Sequence, residues 1–257
     1  MMKLLHSLLS VCALLVAQAV HAEKLTIAAA ADLKFAMDAM VTMFKAANPD
    51  AEISIVYGSS GKFQTQIRQG APYDLFFSAD IAFPRELAKA GFAASGVQPY
   101  ALGRIVLWST SLDATRMTLE SLSDPKITRI AIANPKHAPY GMRAEEALRA
   151  SNLWGQVESK LVYGENIAHT AQFVQTGNAQ VGIIALALAV NPELASKGGY
   201  WLIPDTLHAP LEQGFVVTKR AIGNSAAARF ANFMGGQAAR TTMNRYGFVL
   251  PGDAASK

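Results

Sequence analysis

The chain has 257 residues, 51% hydrophobic and 16% charged, with 23 Lys and Arg against 19 Asp and Glu for a formal net charge of +4. Charges of both signs are interspersed and no basic run exceeds Lys219-Arg220, which excludes a nucleic-acid surface built on a concentrated basic face. The single cysteine, Cys12, lies in the apolar segment that opens the chain, so disulfides, thiol catalysis and cysteine-held metals are excluded from the remainder.

Residues 1–22 read as a signal peptide. Lys3 supplies the positive start, 4–20 is largely apolar, and Val20-His21-Ala22 offers a small residue at the cleavage point. A membrane anchor is disfavoured because the stretch is short for a span and contains His6, Ser7, Ser10 and Gln18. Val11 precedes Cys12, which argues against a lipoprotein site. No later apolar run is long enough to span a bilayer, so a soluble, exported protein is expected.

A continuous apolar run over 25–31 predicts a strand buried on both faces. Asp32 is placed to cap the helix that follows, whose apolar face is Leu33, Met37, Met40, Phe44 and Ala47, and which Asn48-Pro49 ends. Strands are predicted over 53–57 and 74–78, the first leading through Gly61 into a helix with Phe63 and Ile67. The second leads into a helix capped by Asp80 and ended by Gly91. This alternation means parallel βαβ units.

After a strand over 104–108 the pattern restarts. Strands over 130–133, 161–162 and 181–186 alternate with helices over about 142–151 and 167–177. A late strand over 214–219 and helices over 224–234 and 237–246 finish the chain. The expected architecture is α/β with two lobes, each a mainly parallel sheet flanked by helices, and a cleft between them. Lobe 1 takes 23–103 and 211–257, and lobe 2 takes 104–210.

Four of these strands run through a small-residue turn into a helix start: at Asp32, at Gly58-Ser59-Ser60-Gly61, between His137 and Gly141, and at Gly164-Glu165-Asn166-Ile167. A helix N-terminus carries unpaired N–H groups and partial positive charge, so two pairs of such junctions suit two lobes closing on a small oxyanion. The Gly58–Gly61 turn permits close backbone approach, with two hydroxyls and successive N–H groups able to meet one anion. Its plainer reading is a Gly-rich turn capped by Ser59 or Ser60. It is neither a phosphate loop of the G-x-x-x-x-G-K-[ST] kind nor an esterase elbow.

An enzyme's apparatus is not legible. His137, His169 and His208 show no metal-ligand spacing, and no Ser/His/Asp arrangement can be assembled. Glu145 and Glu146 diverge by about 100° on a predicted helix and do not form a carboxylate pair. His169 lies one helical turn from Glu165, a local pair at most.

The segments Ala28-Ala29-Ala30-Ala31-Asp32-Leu33, Tyr57-Gly58-Ser59-Ser60-Gly61 and Gly70-Ala71-Pro72-Tyr73-Asp74-Leu75-Phe76-Phe77-Ser78-Ala79-Asp80 agree with a known family in order and spacing. So do Asn134-Pro135-Lys136-His137-Ala138-Pro139-Tyr140-Gly141, Val181-Gly182-Ile183-Ile184 and Arg245-Tyr246-Gly247-Phe248. The chain resembles the periplasmic molybdate-binding proteins of molybdate ABC transporters, within the larger class of two-lobed (type II) periplasmic solute-binding proteins. The resemblance implies a monomeric, non-enzymatic protein of the periplasm that delivers molybdate, and tungstate, to an inner-membrane ABC permease, with no cofactor and no resident metal.

The resemblance places ligand-binding positions at Asp32, Ser60, Tyr140, Ile167 and Ala185, with Ser59 beside them. Ser60 would give its hydroxyl and N–H, Ile167 only its N–H. Asp32 stands where a serine is usual, Tyr140 where an alanine is usual, and Ala185 where a tyrosine is usual. The Tyr140 hydroxyl is expected to replace the donor lost at Ala185; the alternative is a ring packed on Pro139 outside the cleft. Asp32 is expected to cap its helix. Neutralisation by Lys34, or acceptance of a proton from a protonated ligand, are its alternatives. The last leaves phosphate, phosphonate or another oxyanion such as sulfate as a different ligand for the same class. A hydrolase using Ser60 is a remote reading.

Overall fold

The computed structural model describes residues 23–252; the expected leader, 1–22, lies outside them. The first half of the chain forms β1 (Glu23–Ala30), α1 (Lys34–Ala47), β2 (Ala51–Gly58), α2 (Ser60–Arg68), β3 (Leu75–Ser78), α3 (Ala82–Lys89), β4 (Gln98–Gly103) and β5 (Ile105–Ser109). Next come β6 (Ile130–Ala133), α4 (Pro139–Ala150), α5 (Trp154–Val157), β7 (Leu161–Gly164), α6 (Ile167–Gln175), β8 (Val181–Ala185), α7 (Leu186–Ala189), α8 (Pro192–Ala195) and β9 (Gly199–Leu202). The chain then returns through β10 (Leu211–Val217) to α9 (Ser225–Met234) and α10 (Gln237–Arg245).

Two five-stranded sheets result, in the orders β2-β1-β3-β10-β4 and β7-β6-β8-β5-β9. β1 is fully apolar from Ile27 to Ala30 because parallel neighbours flank it on both sides and helices cover both faces. The sheets are mixed rather than mainly parallel. The βαβ units supply the parallel pairs β1–β2, β1–β3, β6–β7 and β6–β8, whereas β10 and β5 pair antiparallel with both neighbours. Those two are the strands that carry the chain from one sheet to the other, and each takes the fourth place in its sheet.

β4 and β9 have no counterpart among the expected strands. Both are edge strands, where Pro99 costs no ladder bond that the sheet needs and weak periodicity is tolerated. α4 begins at Pro139, three residues before the expected start, because proline suits the first helical position, where an N–H has no acceptor. That shift puts Tyr140 in the first turn.

The core of the first sheet is aromatic: Phe77 stacks on Phe215 with centroids 4.6 Å apart, and Phe230 meets both Phe77 and Phe44 edge-on. The core of the second is aliphatic, around Trp108, Ile130, Ile132 and Leu148, and it also takes in Ala30, Ala31 and Ala79 from the ends of the first sheet. Small residues at those strand ends let the two lobes approach closely.

Candidate functional site

Register decides where the four helix starts meet. β1 and β2 pair through to Ala30↔Gly58, and β3 ends beside them through Ala29↔Phe77. In the second sheet β6 and β7 pair through to Ala133↔Gly164. The turns that leave these carboxyl ends lead into α1, α2, α4 and α6, at the position where open α/β sheets hold ligands. Together Asp32, Ser59, Ser60, Tyr140 and Ile167 line one pocket with a cavity volume of about 10 Å³. That is far below the ~300–1,000 Å³ of pockets for drug-sized ligands and leaves room only for a small ion or a water.

Every donor facing this space is neutral. The Ser60 hydroxyl accepts from the Ala79 N–H at 3.0 Å, which leaves its own proton for a ligand. The N–H groups of Ser60, Tyr140 and Ile167 belong to first helical turns and have no intrahelical acceptor. Asn166 caps α6 by accepting from the His169 N–H at 3.0 Å, and Ile167, the first residue of the helix, lines the pocket. Three N-termini converging on one point each contribute roughly half a positive charge.

Ala185 stands apart from the other predicted residues. It closes β8, is fully buried against Ile105 in the sheet, and α7 begins directly on it. It does not line the pocket.

Asp32 is not a helix cap. It lies inside a short 3-10 turn, Ala31–Leu33, where Ala30 holds the N-cap position of the turn and Leu33 that of α1. Instead its Oδ2 accepts from the Tyr140 hydroxyl at 2.9 Å and from Gln213 Nε2 at 2.8 Å, while Gln213 Nε2 also lies 3.0 Å from the Tyr140 oxygen. Asp32 is 1% exposed, and its buried Oδ1 has no hydrogen-bond partner. Burial pushes its pKa up from 3.8 to about 6, against the bonds from Gln213 and Tyr140 and smaller help from the N–H groups of Asp32 and Leu33, which favour the charged form.

The Tyr140 phenol has one proton, and it goes to Asp32. The hydroxyl is therefore not a free donor replacing one lost at Ala185, nor does the ring pack away from the cleft; what Tyr140 offers the pocket is its N–H. Gly103 makes the arrangement possible: a Cβ there would overlap the Tyr140 hydroxyl and sit 2.7 Å from Gln213 Nε2.

Further bonds cross the cleft. Ser59, read from sequence as a possible cap, bonds His137 instead: its hydroxyl donates to the His137 carbonyl at 2.5 Å and meets Nδ1 at 2.9 Å. Gly61 N–H donates to the same carbonyl at 3.0 Å. Lys62 pairs with Glu165 at 2.9 Å, and Arg143 with Asp80 at 3.3 Å. Glu165 thus meets Lys62 through its carboxylate, and His169 only through its backbone N–H, 3.3 Å from Nδ1.

Sequence reasoning missed Gln213, His137 and Lys62 in these roles. Gln213 left one trace, an amide between Leu211 and Phe215 on a strand whose only other polar side chain is Glu212. A shift of register at Gln213/Gly214 marks the irregularity that aims it.

Two lobes whose cleft gathers helix N-termini around an ion-sized pocket define a solute-binding protein. Residues 25–249 match the model of the family described as bacterial extracellular solute-binding protein, and the chain belongs to that family. It is 35% identical to the molybdate-binding protein ModA of Rhodobacter capsulatus over 77% of each chain, and 32% identical to that of Azotobacter vinelandii over 92% of this chain and 94% of the relative. The solved periplasmic molybdate-binding protein of Azotobacter vinelandii superposes with a TM-score of 0.83 at 30% identity, covering 88% of this chain and 99% of that one. The sulfate-binding protein SubI of Mycobacterium tuberculosis, at 17% identity and a TM-score of 0.75 over 91% of this chain and 88% of that one, shares the fold.

Proposed function

We propose that the protein captures molybdate, and tungstate, in the periplasm and presents it to the inner-membrane permease of a molybdate ABC transporter. Residues 1–22 would direct export, and the lobes would divide near 103 and 211. The observation that carries the reading is the convergence of the Ser60 hydroxyl and the first-turn N–H groups of Ser60, Tyr140 and Ile167 on one small pocket. Neutral, fixed donors replace the hydration shell of an anion without a counter-charge. Four acceptor oxygens on a tetrahedral ion match such a set, and a close-packed wall holds the pocket to one ion size, which separates molybdate from the smaller sulfate.

The same geometry supports binding without catalysis. Among the described residues no base hydrogen-bonds Ser60, whose partner is the Ala79 N–H, and His137 is engaged by Ser59. A monomer is the working form in this reading. Calorimetric titration of the ion-free protein with molybdate, tungstate, sulfate and phosphate tests it. Heat from molybdate and tungstate alone is the expected result, and phosphate binding in their place would overturn it.

A further inference from the structure

We propose that oxyanion binding in this cleft takes up one proton from solvent, received by the Asp32 carboxyl, with Tyr140 and Gln213 positioning the group that receives it. The proposal rests on the molybdate reading and concerns the regulation of that same site. Two observations carry it. Asp32 lines the pocket, and its Oδ1 is buried with no partner while Oδ2 is held by two donors.

The surroundings offer no countercharge. From α4 and β4 the titratable groups facing Asp32 are the phenols of Tyr140 and Tyr100, both pushed well up by burial and therefore neutral; Tyr100 donates to the Ser78 carbonyl at 3.1 Å. From β10 comes Gln213, which does not titrate. On α1, Lys34 is paired with Asp38 at 2.9 Å. On the α2 side, Ser60 is neutral and His137, behind Ser59, is held down by burial, so its imidazole is uncharged above neutral pH. Arg143 pairs with Asp80 and Glu146. Among the described residues no Lys, Arg or His forms an ion pair with Asp32.

A dianion entering this pocket meets either a carboxylate or a carboxylic acid. Like charges at contact distance in a water-excluded site cost several powers of ten in affinity. Protonating a carboxyl whose midpoint already stands near 6 costs only about tenfold at pH 7, since about one molecule in ten holds the proton. Protonation is the smaller cost and prevails. The step balances simply: a buffer acid or hydronium gives up a proton, an O–H bond forms on Asp32, and the carboxyl changes from a repelling acceptor to a donor for an anion oxygen.

Linkage fixes the pH profile. Affinity is flat below about pH 6, where Asp32 is already protonated before the ion arrives, and falls about tenfold per pH unit above it. The test is calorimetry with molybdate, which stays a dianion throughout, between about pH 6 and 8.5 in buffers of unequal ionisation heat. Wild type should take up about one proton per ion at the alkaline end, with the tenfold slope, and Asp32→Asn should bind with a flat profile and no proton uptake. Gln213→Leu removes a donor that favours the carboxylate, so the bend in the profile should move to higher pH. A Gln213→Leu protein that is uniformly weaker with the bend unmoved would overturn the positioning role. Tight wild-type binding with no slope and no proton uptake would overturn the proposal and leave the molybdate reading standing. No response to molybdate at any pH would instead overturn that reading. The wild-type proton count decides the matter even where a variant fails to fold.

Discussion

Asp32 has a consequence for the ion-free protein that can be measured without any ligand. Its pKa stands at about 6 in the folded chain against 3.8 ordinarily, so between those values the folded state keeps a proton that the unfolded chain has already lost. Stability contributed by the protonated form is therefore present below about pH 3.8, declines as pH rises through the window, and is gone above about 6. At 1.36 kcal/mol per pH unit the loss is about 3 kcal/mol. Asp32→Asn cannot ionise. Its amide oxygen can still accept from Tyr140 and Gln213, while its amide nitrogen adds a donor beside the unpartnered Oδ1 position at a cost that does not vary with pH. The signature is thus a change in the difference between the two proteins. Urea unfolding of both from about pH 4 to 7.5 should show Asp32→Asn gaining about 3 kcal/mol on wild type across the range, or roughly 6–12 °C in melting temperature at neutral pH before that constant cost. Acidic residues elsewhere titrate alike in both proteins and cancel. A difference constant to about 0.5 kcal/mol would refute the buried, raised carboxyl.

Three further outcomes follow from the site. Ser60→Ala removes a donor to an anion, worth about 1.5–3 kcal/mol, and should weaken molybdate binding roughly 10–100-fold by calorimetry; a change under about twofold would place Ser60 outside the site. Gly103→Ala puts a methyl into the Tyr140 hydroxyl and against Gln213, and overpacking of this kind should cost about 1–3 kcal/mol in chemical unfolding, so an unchanged midpoint would mean that the two side chains repack freely. Lys62→Met removes an ion pair whose partners are 44% and 58% exposed; its effect on melting should stay below the equivalent of about 1 kcal/mol and shrink with added salt, and a larger, salt-insensitive loss would give Lys62 a structural role.

Much of this protein is written in local pattern. The buried run ending at Ala30, the apolar face of α1 and the glycines flanking Ser59 and Ser60 specify the βαβ units directly, and the turns at their ends are where the pocket lies. Edge strands β4 and β9 escaped because an edge needs neither clean alternation nor freedom from proline. The start of α4 escaped because Pro139 reads as a helix breaker until its place at the first turn is known. Asp32 shows the limit most clearly. Local propensity makes aspartate before a helix a cap, yet the residues that claim its carboxylate are 108 and 181 positions away. No local rule weighs a cap against a partner delivered by tertiary structure.

Two sets of the cross-cleft bonds differ in mechanical meaning. Tyr140, Asp32 and Gln213 meet beside Gly103, next to the crossover from β4 to β5. Lys62 with Glu165, and Ser59 with His137, join the turns and helix starts that face each other across the pocket. Domain closure is a rotation about the crossovers, so displacement grows with distance from them. Exposed pairs such as Lys62–Glu165 lose little on parting, because water replaces the partner at small cost. The buried triad is different: separating it before water arrives would strand a carboxyl and an amide in an apolar wall. An opening that pivots beside Gly103 parts the weak contacts most and the buried ones least. The buried polar cluster then sits where motion is smallest, and in the proposed reading an ion held by helix ends from both lobes would supply the attraction that the outer contacts lack.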